Sequence, residues 1–379
     1  MSGRATARTM ATINAGLEGV VAAATALSHV DGERGELIVG GFPVGELAQH
    51  ATFEETTWLL WHGELPSAGE LERFRAELGA RRRMPGAMLE LLRECARQRI
   101  EPMDALRIAA GAISLSADDP RTILALCPTI VASFWRLRSG TEPLEPHPEL
   151  GHAANFLFML TGESPDQERV RGLETYLNTV IDHGLNASTF TARVITSTGS
   201  DLVSAVVGAI GALKGPLHGG APGPALDMVF EIGDASRAEA VLRAKLEAGE
   251  KLMGFGHRVY KVRDPRADVL AAAAERMFTR GGDMAVYTLA RAVEATALRL
   301  LEEYKPGRRL QTNVEFYTAL LLHGLGLDAA LFTPTFGISR VSGWIAHAME
   351  QRRINRIIRP QSEYIGPRDR EWVPLSARR

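Results

Sequence analysis

The sequence predicts a mainly α-helical globular protein, and three observations carry that expectation. Apolar residues recur at helical spacing over long stretches. Helix-start chemistry, a capping residue followed by proline or by an acid three positions on, precedes several of those stretches. Strand signal is confined to one short segment near the N-terminus.

Along the chain, residues 1–15 read as a loose tail. Arg4 and Arg8 precede a small-residue stretch that Glu18 interrupts, unlike the unbroken apolar run of a cleaved signal. HVDGERGELIVGGFPV near residues 29–44 reads as one small hairpin, with Asp31-Gly32 as its turn. Asp119-Pro120 opens a helix carrying Ile123, Leu124 and Cys127 toward Val131, and TEPLEPHPEL at 141–150 is a surface connection. DLVSAVVGAIGALKG at 201–215 holds Gly208 and Gly211 inside a helix, where each costs about 1 kcal/mol relative to alanine. Such small residues suit a close helix–helix contact, inside the chain or between two subunits. Ser236 and Glu239 form a capping-box pattern for a helix through Val241, Leu242 and Leu246. Asp264-Pro265 is a cap and first-turn proline for ADVLAAAAERM. In residues 284–304, Val286, Leu289, Ala290, Val293, Ala297, Leu300, Leu301 and Tyr304 follow helical spacing until Pro306-Gly307. Thr312 or Asn313 could cap the helix that begins FYTALLL.

Bulk properties narrow the function classes. With 379 residues, 45% hydrophobic, the chain can bury a substantial core, and its length suggests two domains. A formal charge of −2 argues against a surface built throughout for nucleic acid. Cys95 and Cys127 belong to no CxxC or Cys/His cluster, so neither a disulfide framework nor structural zinc is expected, and a reducing cytoplasm is the natural setting. No run approaches the roughly 18 apolar residues of a membrane span.

Four stretches carry candidate chemistry: IDHGLNASTF (181–190), LKGPLHGGAPG (213–223), MGFGHRVYKVRDPR (253–266) and TNVEFYTALLL (312–322). None holds HExxH or a histidine pair at ligand spacing, so no metal is expected, and GFGH lacks the third glycine of a dinucleotide fingerprint. In the third stretch Arg258, Lys261, Arg263 and Arg266 face only Asp264. Arg266 falls in a first helical turn, where free amides already favour anions, and Gly254 and Gly256 would let backbone approach a ligand. His218 sits just ahead of an expected helix N-terminus, whose dipole would keep it neutral and able to donate to developing negative charge. Glu315 reads equally as a first-turn acid, and His183 as part of a polar cluster with Asn186, Ser188 and Thr189.

Together these stretches resemble the citrate synthase family, including its 2-methylcitrate synthase branch. The resemblance runs from LEGVVAAATALSHVDGERGELIVGGFPVGELA through NASTF, KGPLHGG and GFGHRVYKVRDPRAD to SGWIAHAMEQ and Arg359-Pro360. It implies a two-domain helical homodimer, with residues 1–217 and 322–379 as a large domain bearing the dimer interface and 218–321 as a small domain on the CoA side of the cleft. It implies condensation of an acyl-CoA thioester, usually acetyl-CoA, with oxaloacetate to give citrate and free CoA. The thioester is a substrate, and no cofactor is called for. By matching position, His218 resembles the donor to the thioester enolate, His257 the group that polarises the ketone, and Glu315 the base. His183, Arg266, Arg340 and Arg359 resemble ligands of the oxo acid, the last reaching across the dimer. Lys261 matches a contact to CoA phosphate, and Gly254, Phe255 and Gly256 would flank the adenine. Propionyl-CoA as acyl donor, and a non-catalytic acyl-CoA-binding paralogue, are the alternatives. Two departures keep them open: Glu315 stands where the family usually has aspartate, and Gly220-Ala221-Pro222-Gly223-Pro224 follows His218 in place of the usual GGAN continuation.

Overall fold

The computed structural model describes residues 14–115, 118–219, 222–257, 259–281 and 284–378. Most of the expected tail, residues 1–13, lies outside the described residues, as does Arg258. Among the described residues there are sixteen α-helices and one three-stranded antiparallel sheet, the mainly helical class the sequence predicts. In chain order come α1 (Val44–His50), α2 (Phe53–His62), α3 (Ala68–Gly79), α4 (Gly86–Arg97), α5 (Pro102–Gly111), α6 (Pro120–Arg138), α7 (His152–Thr161) and α8 (Gln167–Val180). There follow α9 (Ala187–Ser197), α10 (Leu202–Leu213), α11 (Pro222–Ile232), α12 (Ala238–Glu247), α13 (Pro265–Gly281), α14 (Met284–Tyr304), α15 (Val314–Gly324) and α16 (Phe332–Arg353).

The hairpin pairs β1 (Ser28–Asp31) with β2 (Glu36–Val39), and Asp31 Oδ1 accepts the amides of Glu33 and Arg34 to close the turn. A third strand, β3 (Phe42–Pro43), adds to β2. Two residues ending in proline are too few to show a period of two, so this strand was not visible in the sequence. Asp119 caps α6 by accepting from the Thr122 amide at 3.0 Å, and the helix runs past Val131 and over Pro128 to Arg138. The capping box expected at Ser236 and Glu239 does not form. Asp234, an ionised acceptor two residues upstream, takes both the Ser236 amide (2.8 Å) and its hydroxyl (2.5 Å) and caps a 3-10 turn, so α12 starts only at Ala238.

The small residues of α10 serve a contact within the chain. A Cβ on Gly208 would lie 2.3 Å from Ile195 Cδ1 of α9, so the two helices meet there without a side chain between them. The centre of the core is α16, which packs on α2, α6, α8, α9 and α10. Ile338, Val341, Trp344 and Ile345 are fully buried, and so are Ser339 and Arg340. A helix enclosed this way must satisfy its polar side chains internally. Ser339 Oγ donates to Leu177 O (2.6 Å) and Arg340 Nε to Val180 O (2.7 Å). Beyond α16 the chain is extended and exposes Ile354, Ile357, Ile365 and Trp372. Cys95 in α4 and Cys127 in α6 are free and buried. No helix among the described residues is long and apolar enough to cross a membrane.

Candidate active site

Loops at the ends of α8, α10, α12 and α14 meet around a cavity of about 1180 Å³. His183, His218, His257, Arg266, Glu315 and Arg340 all line it, as does the backbone of Gly254–Gly256. Lys261 and Arg359 do not. Lys261 is exposed, with its amide donating to Gly32 O, and Arg359 is exposed on the C-terminal extension.

The stretch bearing His257 and the stretch bearing Glu315 are laced together. Gly256 N donates to Gln311 O (2.7 Å), Asn313 N to Gly254 O (3.0 Å), and Asn313 Nδ2 to Gly256 O (2.8 Å). Asn313, one of the two expected caps, accepts the Glu315 amide at 3.1 Å and opens α15. Gly254 has φ +87°, and a Cβ there would stand 2.9 Å from Phe316 Cβ; glycine is demanded by the backbone and by this close approach. Glu315 Oε2 is buried with no hydrogen-bond partner among the described residues. Burial raises its carboxyl above the ordinary value, against the pull of Arg266.

The three histidines that line the cavity with this carboxylate are held neutral. Burial, then the positive charge of Arg266, pushes His257 down to about 4. Its Nδ1 accepts from the amides of Val259 (3.0 Å) and Tyr260 (3.1 Å), two contacts shorter than the 3.5 Å approach of Arg266 Nη2 to Nε2, so the neutral ring carries its proton on Nε2. Burial, then Arg340, pushes His218 down to about 4, the neutral form expected from the sequence. His218 Nε2 lies 2.8 Å from Ser188 Oγ, which also lies 2.8 Å from Asn186 Oδ1 and accepts from Trp344 Nε1 at 3.1 Å. The one hydroxyl proton of Ser188 has two acceptors in reach, and its direction sets the tautomer of His218. His183 meets Tyr260 Oη at 3.1 Å and stands 5.9 Å from His257, centroid to centroid. Burial and the neighbouring guanidiniums of Arg266 and Arg340 hold it well below the histidine range.

Asp264 grips Arg266 from behind, while Arg340 lies over the Phe336 ring at 4.6 Å. Burial lowers Arg340 to about 10, which leaves it charged at neutral pH. One residue behind the site was missed in the sequence. Glu294 of α14 is buried and accepts from Arg263 (2.9 Å), Thr312 (2.7 Å), Arg291 (2.8 Å) and Tyr317 (2.5 Å), joining the two laced stretches to one helix. Its signal was a charge seated in the apolar stripe of α14, four residues after Ala290 and three before Ala297.

Residues 16–361 match the family described as citrate synthase, C-terminal domain. The citrate synthase of Haloferax volcanii is 40% identical across 96% of this chain and 98% of its own. The 2-methylcitrate synthase of Mycobacterium tuberculosis is 43% identical across 94% and 92%. Among solved structures, citrate synthase from Pyrobaculum aerophilum superposes with a TM-score of 0.88 at 38% identity, covering 97% of this chain and 95% of its own. The Thermoplasma acidophilum citrate synthase, solved with carboxymethyl coenzyme A and oxaloacetate, superposes with a TM-score of 0.89 at 29% identity, covering 97% and 100%. A family match spanning most of the sequence, with relatives about 40% identical along nearly all of it, means that the chain belongs to the citrate synthase family.

Proposed function

We propose that the protein condenses an acyl-CoA thioester with oxaloacetate, releasing citrate and free CoA when the acyl group is acetyl. Glu315 takes a proton from the carbon beside the thioester carbonyl. That proton is too weakly acidic for a carboxylate alone, so His218 donates to the oxygen as the enolate forms. This requires the Ser188 hydroxyl to donate to His218 Nε2, which puts the ring proton on Nδ1. The enol carbon then attacks the oxaloacetate ketone, and His257 Nε2–H donates to the ketone oxygen as it becomes the hydroxyl of citryl-CoA. Water cleaves the thioester, giving the carboxylate and the free thiol. His183, Arg266 and Arg340 hold the oxo acid, whose product carries one more negative charge than the acid that entered.

The observation that carries this function is one carboxylate of raised basicity facing the same cavity as three neutral imidazoles and two buried guanidiniums. Residues 218–321 are assigned to the CoA side, with Gly254, Phe255 and Gly256 against the adenine and Lys261 on a phosphate. Arg359 is assigned to the partner's site in a homodimer, which its exposed place on an apolar-rich extension favours. A cytoplasmic setting fits the two free thiols.

Propionyl-CoA is a second acyl donor to weigh, because a 2-methylcitrate synthase stands among the relatives at 43% identity. Purified protein, oxaloacetate and either acyl-CoA, read by thiol release, decide the matter. Faster release from acetyl-CoA supports citrate synthesis and faster release from propionyl-CoA supports 2-methylcitrate synthesis. No thiol from either donor, with both substrates still bound, would replace catalysis with an acyl-CoA-binding role.

A further inference from the structure

The turn of the β1–β2 hairpin touches the loop that orients His257. Lys261 N donates to Gly32 O at 2.8 Å, and a Cβ built on Gly32 would stand only 2.2 Å from Val259 O and 2.8 Å from its carbonyl carbon. Gly32 is not one of the positive-φ glycines, so the hairpin itself would accept alanine there. What forbids a side chain is the backbone of the neighbouring loop, which cannot swing aside as a flexible side chain would. The Val259 carbonyl and the Tyr260 N–H are the two ends of one planar peptide. That N–H donates to His257 Nδ1, and the Val259 N–H, one peptide earlier, donates to the same atom. The hairpin is anchored on its other side to the loop of His183, where Ser28 Oγ bonds Asp182 and accepts from the Gly184 amide. It therefore joins the two segments that carry the paired imidazoles.

We propose that Gly32 is a positioning residue for His257: its missing side chain seats the Val259–Tyr260 peptide with its N–H on Nδ1, which keeps the imidazole proton on Nε2, facing the cavity. Gly32 touches no substrate and does not line the cavity. The consequence for turnover rests on the condensation proposed above; the consequence for the imidazole does not.

Nitrogen-15 chemical shifts of the histidine ring in the ligand-free protein read the tautomer directly. The native protein is expected to show His257 as the Nε2–H form, and Gly32→Ala to show a mixture of both forms. Turnover of Gly32→Ala is expected to fall on the order of 100-fold, the scale of an ångström of misplacement, with oxaloacetate affinity much less changed. Glu33→Ala, an exposed change in the same turn, should leave both readouts as in the native protein. If Gly32→Ala does not fold, Val262→Ala takes its place, because Val262 Cγ2 packs on the hairpin at Gly35 and its loss loosens the same contact from the loop side. An Nδ1–H ring in the native protein overturns the proposal, and so does an unaltered ring spectrum in the variant. A native protein that releases no thiol would refute the condensation, while the nitrogen shifts still decide the role of Gly32.

Discussion

Asp264 and Arg266 pair through two hydrogen bonds, Oδ1 to Nε at 3.0 Å and Oδ2 to Nη2 at 2.8 Å, with both side chains almost wholly enclosed. Each ion lost its water on folding, and the fork geometry compensates both. Asp264 accordingly stays below the ordinary carboxylate range and Arg266 above the ordinary guanidinium range. Asp264→Ala would leave a buried cation without its counter-ion, and a loss of about 3–5 kcal/mol in denaturant unfolding is expected. A loss below about 1 kcal/mol would show that the guanidinium finds another anion or water.

Glu315→Gln keeps the size of the side chain and removes its basicity. Turnover is expected to fall by roughly 100- to 10,000-fold, while oxaloacetate binding, measured by calorimetry, stays near the native value because the guanidiniums carry it. Full activity in this variant would remove Glu315 from the role of base.

The pH profile follows from the same group. Glu315 must be ionised to accept a proton, and burial raises its pKa above 4.5, so kcat/KM should fall as pH drops through a value above 4.5. His218 and His257 gain a proton only near 4, below that point. The first acid limb should thus disappear from the residual activity of Glu315→Gln, and a limb that survives would belong to another residue.

Stability should respond to pH through Glu174 of α8, which feels the charge of the buried Glu54. Burial first, then the charge of Glu54, raises its carboxyl to about 7, against the pull of Arg171 and Arg75. A carboxyl whose folded pKa exceeds its unfolded one stabilises the fold in acid and loses that contribution as pH rises through the folded value. Between pH 5 and pH 8 the native thermal midpoint should drop, and Glu174→Gln should flatten that drop. An identical slope in the variant would count against it.

Glu294→Gln replaces one acceptor oxygen with a donor facing donors. A loss of about 1.5–3 kcal/mol is expected for each charged hydrogen bond broken, with lower turnover, because Arg263 and Thr312 flank the residues of the site. Native turnover in this variant would show that the lacing between Gly254 and Asn313 suffices alone.

Much of this was legible in the sequence because local chemistry specifies local structure. The hairpin turn at Asp31, the cap at Asp119 and the long α14 follow from a few neighbouring residues each. The Ser236 pattern failed because Asp234, just outside it, competes for the same groups. Gly208 showed that a close contact exists, and the coordinates showed that its partner is Ile195. The site is another kind of problem. His183, His218, His257 and Glu315 come from four separate segments, and nothing local to any of them says that they share a cavity. Family resemblance supplied that grouping. The supports were harder still: Glu294 and Gly32 act through contacts 18 and more than 200 positions away, between residues whose own neighbourhoods look ordinary.

The two sulfurs set the practical terms on which this protein meets oxidants and electrophiles. Enclosure raises Cys95 and lifts Cys127 to about 12, so at pH 8 the reactive anion of Cys127 is on the order of one part in ten thousand. Disulfide reagents should leave both native thiols untouched over the minutes in which they consume a small exposed mercaptan. A slow late absorbance rise in such a mixture would then be a clock for unfolding.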